Sequence, residues 1–461
     1  MAEQNPSAQP AAGAGTGATY KAPTPKPTQN PALRMMGLPN LPRKLPSRNW
    51  LIFWAITGTI SAAIIYDKRE KKRATAKWKH VVAPLAKDTI SSASQLPRKL
   101  TIYLEAPPGD GLRVAQDHFI EYAKPVLAAS GLDWEFVQGR QQGDVRAAVA
   151  EKIRRARRKD ERPDEVDLQT DEATIEALRK KNSVPEYEGT KGDIIFGRHT
   201  WKEYVRGLHE GWLGPLDPPA KPEPETTTPA AEGSPERVKT EGEGEKPEEK
   251  KEDEKKEDEK KPERPPQPPP YNSPDDYSLA SLPAQIPFEF SPSNPIPFPH
   301  RLGFRHTFVR LNRFFNRRKL ADEIGREVAA VCFAASSREW READGQYEQQ
   351  LVLQHEEKDW VKSVWENETP KEDDNAAATP AVPVKERIWA SPLVVDSRLM
   401  QRMRRFEISP EDEARAAQIV VPEAEIEGWI KGSFRSLWRW GVDSWNAKPM
   451  TPNVGDVNSD E

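Results

Sequence analysis

The sequence predicts an anchored α/β protein: a single N-terminal transmembrane helix, then a mixed α/β soluble domain carrying a long disordered insert. Three observations lead there. Trp50 to Tyr66, WLIFWAITGTISAAIIY, is uncharged in a chain whose mean hydropathy is -0.82. Residues 99–159 read strand, helix, strand, helix. Residues 217–270 are dominated by Pro, Glu and Lys, with Val238 as their one large apolar residue.

Residues 1–49 form a basic segment rich in Ala, Pro and Gly, expected to be disordered. No Asp or Glu occurs between Gln4 and Tyr66, while Lys21, Lys26, Arg34, Arg43, Lys44 and Arg48 are basic. An acid-free basic start with Ser, Thr and Ala is typical of mitochondrial targeting regions, although its prolines oppose a long presequence helix.

Residues 50–66 follow as the transmembrane helix. At ~1.5 Å per residue they cover roughly 26 Å, close to the thickness of a bilayer core. Trp50 and Tyr66 stand at the two ends, where amphipathic rings favour the headgroup level, and Ile52, Trp54, Ile60 and Ile64 fill the interior. Gly58 and Ala62 make a small-xxx-small pair suited to close helix packing. A signal peptide would start its apolar core nearer the N-terminus and end in small residues, whereas Asp-Lys-Arg-Glu follows here.

Residues 67–98 open with the basic run DKREKKRATAKWKH, expected to continue the helix as a solvated juxtamembrane segment attracted to anionic headgroups. Residues 99–216 are the α/β domain. KLTIYLEA alternates like a strand, and a Pro-Pro-Gly-Asp-Gly turn follows it. Leu112 to Ser130 reads as a helix kinked at Pro125 and stopped by Gly131. DWEFVQ is a second strand, and Asp144 to Lys159 a second helix with Val145, Val149, Ile153 and Ala156 on its apolar stripe. DIIF (193–196) reads as a short buried strand and Thr200 to His209 as a helix. Such a β-α-β-α opening favours parallel strands and occurs in thioredoxin-like and other α/β folds.

The 217–270 insert cannot bury enough apolar surface to offset chain entropy. Residues 271–446 form a C-terminal, mostly helical region. IPFEFSPSNPIPFPH is expected to lie extended against a surface, and LADEIGREVAAVCFAASSREW to be helical. A loose loop at 366–384 and a disordered tail at 447–461 complete the organisation.

Net charge is -4, so nucleic acid is not an expected partner. Cys332 is the only cysteine, which excludes an internal disulfide, a cysteine-based zinc site and dithiol chemistry. Phosphate-loop, HExxH, CxxC and GxSxG motifs are missing, and the seven histidines are scattered. No catalytic, cofactor or metal residue is assigned. Asp110 and Asp117 near His118 are the only imaginable acid–base group, more simply read as a turn aspartate and an exposed helix face. Two contact surfaces are candidates. Arg154, Arg155 and Arg158 sit on an arginine-rich helix that is ordinarily a solvated face but suits an acidic partner. Trp429, Trp438, Trp440 and Trp445, interleaved with Lys431, Arg435 and Arg439, are either core or a face for membrane or partner.

PSRNWLIFWAITGTISAAIIYDKREKKRATAKWK followed by LPRKLTIYLEAPPGDGLRVAQDHFIEYAKPVL resembles the Tim-fifty-four family, fungal-type subunits of the carrier translocase of the mitochondrial inner membrane. The resemblance runs from about Asn30 to about Trp445, interrupted by the insert. It implies a single-pass protein with its N-terminus in the matrix and a large domain in the intermembrane space. The implied role is a non-enzymatic scaffold that supports the channel subunit and docks the small chaperone hexamers delivering carrier precursors. Inner-membrane lipid is a further implied contact. The charge tendency points the other way. Lys68, Arg69, Lys71, Lys72, Arg73, Lys77 and Lys79 outnumber Arg34, Arg43, Lys44 and Arg48 on the opposite flank, but large domains follow that rule poorly. A membrane-anchored enzyme of unfamiliar chemistry and a lipid-tethering protein are the alternatives.

Ile60→Lys is expected to block membrane integration, because a charge at mid-bilayer costs ~3 kcal/mol on insertion scales. Loss of resistance to alkaline extraction would report it; unchanged resistance would refute it.

Overall fold

The computed structural model describes residues 47–88, 96–162, 171–184, 187, 189–218, 267–343, 345–366, 386–427 and 429–446. The expected disorder of residues 1–46, of most of the 217–270 insert, of nearly all of the 366–384 loop and of the 447–461 tail lies outside the described residues. The chain divides into two units, residues 1–61 and 62–461.

Helix α1 (Arg48–Val82) begins in the first unit and ends in the second. Its apolar window has a mean hydropathy of 1.4, is wholly unburied, and is long enough to cross a membrane. Trp50, Ile52, Trp54 and Ile60 are exposed, and among the described residues nothing lies within 4 Å of a Cβ added at Gly58. The polar interruptions are satisfied within the helix: Thr57 donates to the Phe53 carbonyl, and Thr59 to that of Ala55 at 2.7 Å.

The second unit is built on a parallel sheet. Strand β1 (Lys99–Glu105) leads through α2 (Leu112–His118), a π-helical turn at Phe119–Ala123 and α3 (Lys124–Ser130) to β2 (Asp133–Gly139). The π turn lies where the kink is expected; Pro125 follows it in the first turn of α3, and the wider bond from the Lys124 N–H to the Phe119 carbonyl carries the helix up to the proline that has no N–H to give. Gly131 stops α3 at a φ of +71°. Helices α4 (Asp144–Glu161) and α5 (Asp171–Lys181) precede β3 (Asp193–Phe196), and α6 (Gly197–Leu213) follows it. Strand β4 (Ser293–Ile296) then completes the sheet in the order β2-β1-β3-β4, parallel throughout. This is how the flavodoxin-like doubly wound order begins.

Alternation along the strands gives the sheet two buried faces. Leu100, Ile102, Leu104, Ile194 and Phe196 share one core with Phe119, Val126 and Leu127. Tyr103 and Ile195 share the other with Val145, Val149, Trp201 and Val205 of α4 and α6. Gly207 and Gly211 of α6 face Val149 and Ile153 so closely that an added Cβ would lie within 3.0 Å of them.

The C-terminal half contains α7 (Thr307–Phe314), α8 (Arg317–Phe333), β5 (Ser336–Glu339), β6 (Glu342–Ala343) and β7 (Gln346–Tyr347). Next come α9 (Glu348–Leu351), α10 (Lys362–Trp365), α11 (Ser397–Met400) and β8 (Arg404–Glu407). Helices α12 (Pro410–Gln418), α13 (Glu423–Ile426) and α14 (Trp429–Asn446) end the fold. Strand β5 pairs with β8, and Asn294 clasps β8 to β4 by donating to the Phe406 carbonyl and accepting from its N–H at 3.0 and 2.9 Å.

Three expectations are corrected. The juxtamembrane run is not a solvated helix: Trp78, Val81 and Val82 are core residues packed with Ile324 and Val328 of α8. The proline-spaced stretch near residue 293 is not merely extended but supplies β4, whose four residues are all buried; Pro295 is tolerated because β4 is an edge strand. The helix expected to reach Trp340 stops at Phe333, because Ala334 adopts φ +49° and SSRE turns into β5.

Gly325 of α8 lies under the Trp78 ring, and an added Cβ would come within 3.0 Å of it. Gly325→Ala is therefore expected to destabilise the domain by about 1–3 kcal/mol, and Trp78→Leu in that background to recover part of the loss. Urea unfolding of the full chain in detergent checks this; an additive double variant would contradict it.

Candidate functional site

At the carboxyl end of a doubly wound sheet the loops leave room for a ligand. Here they enclose an open cleft of about 690 Å³. One wall carries Asp110, Asp117 and His118, the other His300, Arg310 and Phe314. The three sequence-flagged residues thus line one cleft without joining into an acid–base group. Asp110 accepts from the Gly111 N–H at 2.8 Å and lies 3.6 Å from His300. Asp117 is exposed and stands 3.9 Å from Arg113. The His118 Nε2 hydrogen-bonds the Pro297 carbonyl at 3.1 Å, and its ring packs between Tyr122 and Phe298. Burial pulls its pKa down to about 4, so the imidazole is neutral and serves as a wedge. The cleft's cations are largely engaged: Arg301 and Arg313 both bind Asp359, at 3.2 and 2.5 Å, and Arg317 lies 3.6 Å from Glu121. Among the described residues no group of three His, Cys, Asp or Glu side chains is placed to hold a metal ion. Cys332 is buried, with its thiol pushed up to about 11 by burial.

The opposite face of the sheet is held by buried charge. Glu203 of α6 accepts from the N–H groups of Gly143, Val145 and Arg146 at 2.7, 3.2 and 3.2 Å, which places a carboxylate on the N-terminus of α4. Glu105, at the end of β1, has its pKa raised well above the usual range by burial and then by the Glu203 charge. Glu210 binds Arg146, and also Arg154 at 3.0 Å. Glu356 accepts from the N–H groups of Arg198 and Phe298 at 2.9 and 2.6 Å, and burial lifts its pKa to about 7.

These contacts revise the arginine surface. Arg154 is no solvated docking residue: it is 3 % exposed, with its guanidinium 3.8 Å from the Tyr271 ring centroid. Arg158 donates to the Leu216 carbonyl at 2.9 Å, and Arg157 to those of Gly211 and Gly214 at 2.8 and 2.9 Å. Arg155 is half-buried and interacts within the chain. Arg146 reaches the Pro268 carbonyl. Helix α4 therefore fastens the chain where it leaves for the insert and where it returns. The sequence signal was the spacing of arginines opposite an apolar stripe, but their partners are distant along the chain.

On α14, Trp438 and Trp440 are 75 % and 70 % exposed; Trp429 and Trp445 lie on the same helix. Lys431 and Arg435 both pair with Glu427, at 3.2 and 2.6 Å. Ahead of it, Glu423 binds Arg69 and Arg73 at 2.6 and 3.0 Å.

A parallel α/β sheet with an open cleft whose arginines are mostly paired within the chain, following in sequence a helix able to span a membrane, defines a membrane-anchored α/β protein. Residues 30–406 match the family described as inner membrane protein import complex subunit Tim54. The chain is similar to the mitochondrial import inner membrane translocase subunit tim54 of Neurospora crassa, 54% identical over 92% of this chain and 91% of that protein. Its counterpart in Aspergillus oryzae is 43% identical over 92% of this chain and 100% of its own length. The Schizosaccharomyces pombe protein is 32% identical over 77% and 91%. The chain belongs to the Tim54 family.

Buried histidine makes the domain acid-sensitive. His209 bonds the Val205 carbonyl through Nδ1 at 2.7 Å and accepts the Asp396 N–H on Nε2 at 2.8 Å, a pattern that only the neutral ring supports. Burial lowers its pKa to about 4, with Arg206 lowering it further and Asp396 opposing. Between about 4 and 6.5 the unfolded chain holds the extra proton, so stability falls as pH drops through that window, by up to about 1.4 kcal/mol per pH unit for one group. His209→Asn is expected to flatten the slope by about that amount. Equal slopes in both proteins, measured by urea unfolding from pH 7 to 4.5, would contradict it.

Proposed function

We propose that the chain is a non-enzymatic scaffold and docking subunit of the mitochondrial inner-membrane translocase that inserts multi-spanning carrier proteins. The observation that carries this reading is the family match over residues 30–406, which takes in the apolar part of α1, the whole parallel sheet and α8. The relatives' shared description as import translocase subunits of the inner membrane supports it. So does a cleft whose buried His118 is neutral and whose arginines are mostly paired within the chain.

In this reading α1 crosses the inner membrane once, with the N-terminal segment in the matrix and the large domain in the intermembrane space. The partners are the channel subunit and the small chaperone hexamers that bring carrier precursors. Their contacts are sought first on exposed surface, such as Trp438 and Trp440 of α14, and not on Arg154.

Affinity purification of the tagged full chain from digitonin-solubilised mitochondria tests the reading. Co-recovery of the channel subunit and small chaperones is expected. A preparation with neither would remove the scaffold reading.

A further inference from the structure

Helix α7 and the turn before it form a face that nothing among the described residues covers. Phe304 is 92 % exposed, Phe308 83 % and Leu311 46 %, and they fall at i, i+4 and i+7 on one stripe. None of residues 304–314 is buried. The segment itself carries charge of one sign: no Asp or Glu occurs from Phe290 to Ala321, and Arg305, Arg310 and Lys319 are exposed, while the acids that approach from elsewhere, Asp359 and Glu121, pair with Arg313 and Arg317.

Position gives this face its meaning. Two residues, 315 and 316, separate α7 from α8, and Arg318 in the first turn of α8 reaches back to the foot of the span. Its guanidinium lies 5.2 Å from the Tyr66 ring centroid and 3.7 Å from Asp67, whose carboxylate also accepts the Arg318 N–H at 3.4 Å. Tyr66 closes the apolar run, where a tyrosine ring marks the headgroup level. Phe314 is four residues from Arg318, at most ~15 Å away, and the Arg318 N–H is itself in reach of Asp67, so Phe314 is within roughly 20 Å of that level; α7 itself is only ~12 Å long.

We propose that α7 is an interfacial helix, its Phe304–Phe308–Leu311 stripe inserted among the lipids of the membrane that α1 spans and its basic residues meeting anionic phospholipid headgroups. Apolar residues on one side of a short helix with arginines on the other is how such helices bind, and a basic, acid-free stretch complements an anionic surface. This second membrane contact is independent of the translocase reading but rests on α1 being a span.

The test uses the full chain with Cys332→Ser, reconstituted in phosphatidylcholine vesicles with or without cardiolipin. An environment-sensitive fluorophore is attached in turn to Phe308→Cys, Ile60→Cys and Ser337→Cys. Ser337 is exposed on β5, beyond the far end of α8. The label at 308 is expected to shift to the blue and be quenched by shallow spin-labelled lipid when cardiolipin is present, while that at 337 stays open to aqueous iodide. Arg305→Glu with Arg310→Glu should return the 308 label to water. Trypsin cleavage at Arg305 and Arg310 of the unlabelled chain should slow in parallel. A 308 label open to iodide in both vesicles would overturn the proposal. So would one shielded only after purified partner subunits are added, which would make α7 a protein contact. A label at 60 that lipid does not quench would fault the span instead.

Discussion

The fold depends on one contact, the burial of the second half of α1 against α8 and the sheet. Trp78 is 2 % exposed, donates its indole N–H to Asp322 at 2.8 Å, and lies over Gly325, the residue whose missing side chain makes room for it. Val81 and Val82 join the core of Leu100 and Ile102. Burying side chains of this size contributes about 1.5–3 kcal/mol each, the scale of an entire domain's margin when three act together. The chain that continues from Tyr66 is thus no tether: Asp67 is already buried, and four residues later Lys71 pairs with Glu121.

The far side of the sheet uses a different bond. Between α4 and α6 the helices meet across Gly207 and Gly211, and the space beside them holds Arg146, Arg154, Glu203 and Glu210. Removing one partner from such a buried set costs about 3–5 kcal/mol, since it strands the other charge. Arg146 and Arg154 also hold Pro268 and Tyr271, and their neighbours Arg157 and Arg158 hold Gly214 and Leu216. With both ends of the insert fastened at one place, lengthening it adds only the slow logarithmic cost of loop closure.

Local chemistry made part of this legible in the sequence. The alternation of KLTIYLEA, the stop at Gly131 and the uncharged run before Asp67 each reflect a preference that tertiary context did not overrule. Strand β4 was hidden because Ser-Asn-Pro-Ile has no alternation and only Ile296 as a strand former; Asn294 belongs there for its bond to Phe406, 112 residues on. Arg154 looked solvated because Glu210 is distant in sequence. The lysines of DKREKKRATAKWKH concealed that its few apolar residues face a core. The cleft residues Asp110, Asp117 and His118 were found as neighbours, but only the structure places the His118 ring against Pro297 and Phe298.

If residues from Asp67 onward fold directly at the foot of the span, everything turns on which side of the inner membrane that foot lies. Protease treatment of a C-terminal tag in isolated mitochondria, before and after the outer membrane is opened, decides it. The scaffold account predicts that the tag survives in intact mitochondria and is lost once the outer membrane is opened. A tag that survives opening and is digested only in detergent would place the domain in the matrix, as the flanking charges alone suggest, and would exclude docking of chaperones from the intermembrane space.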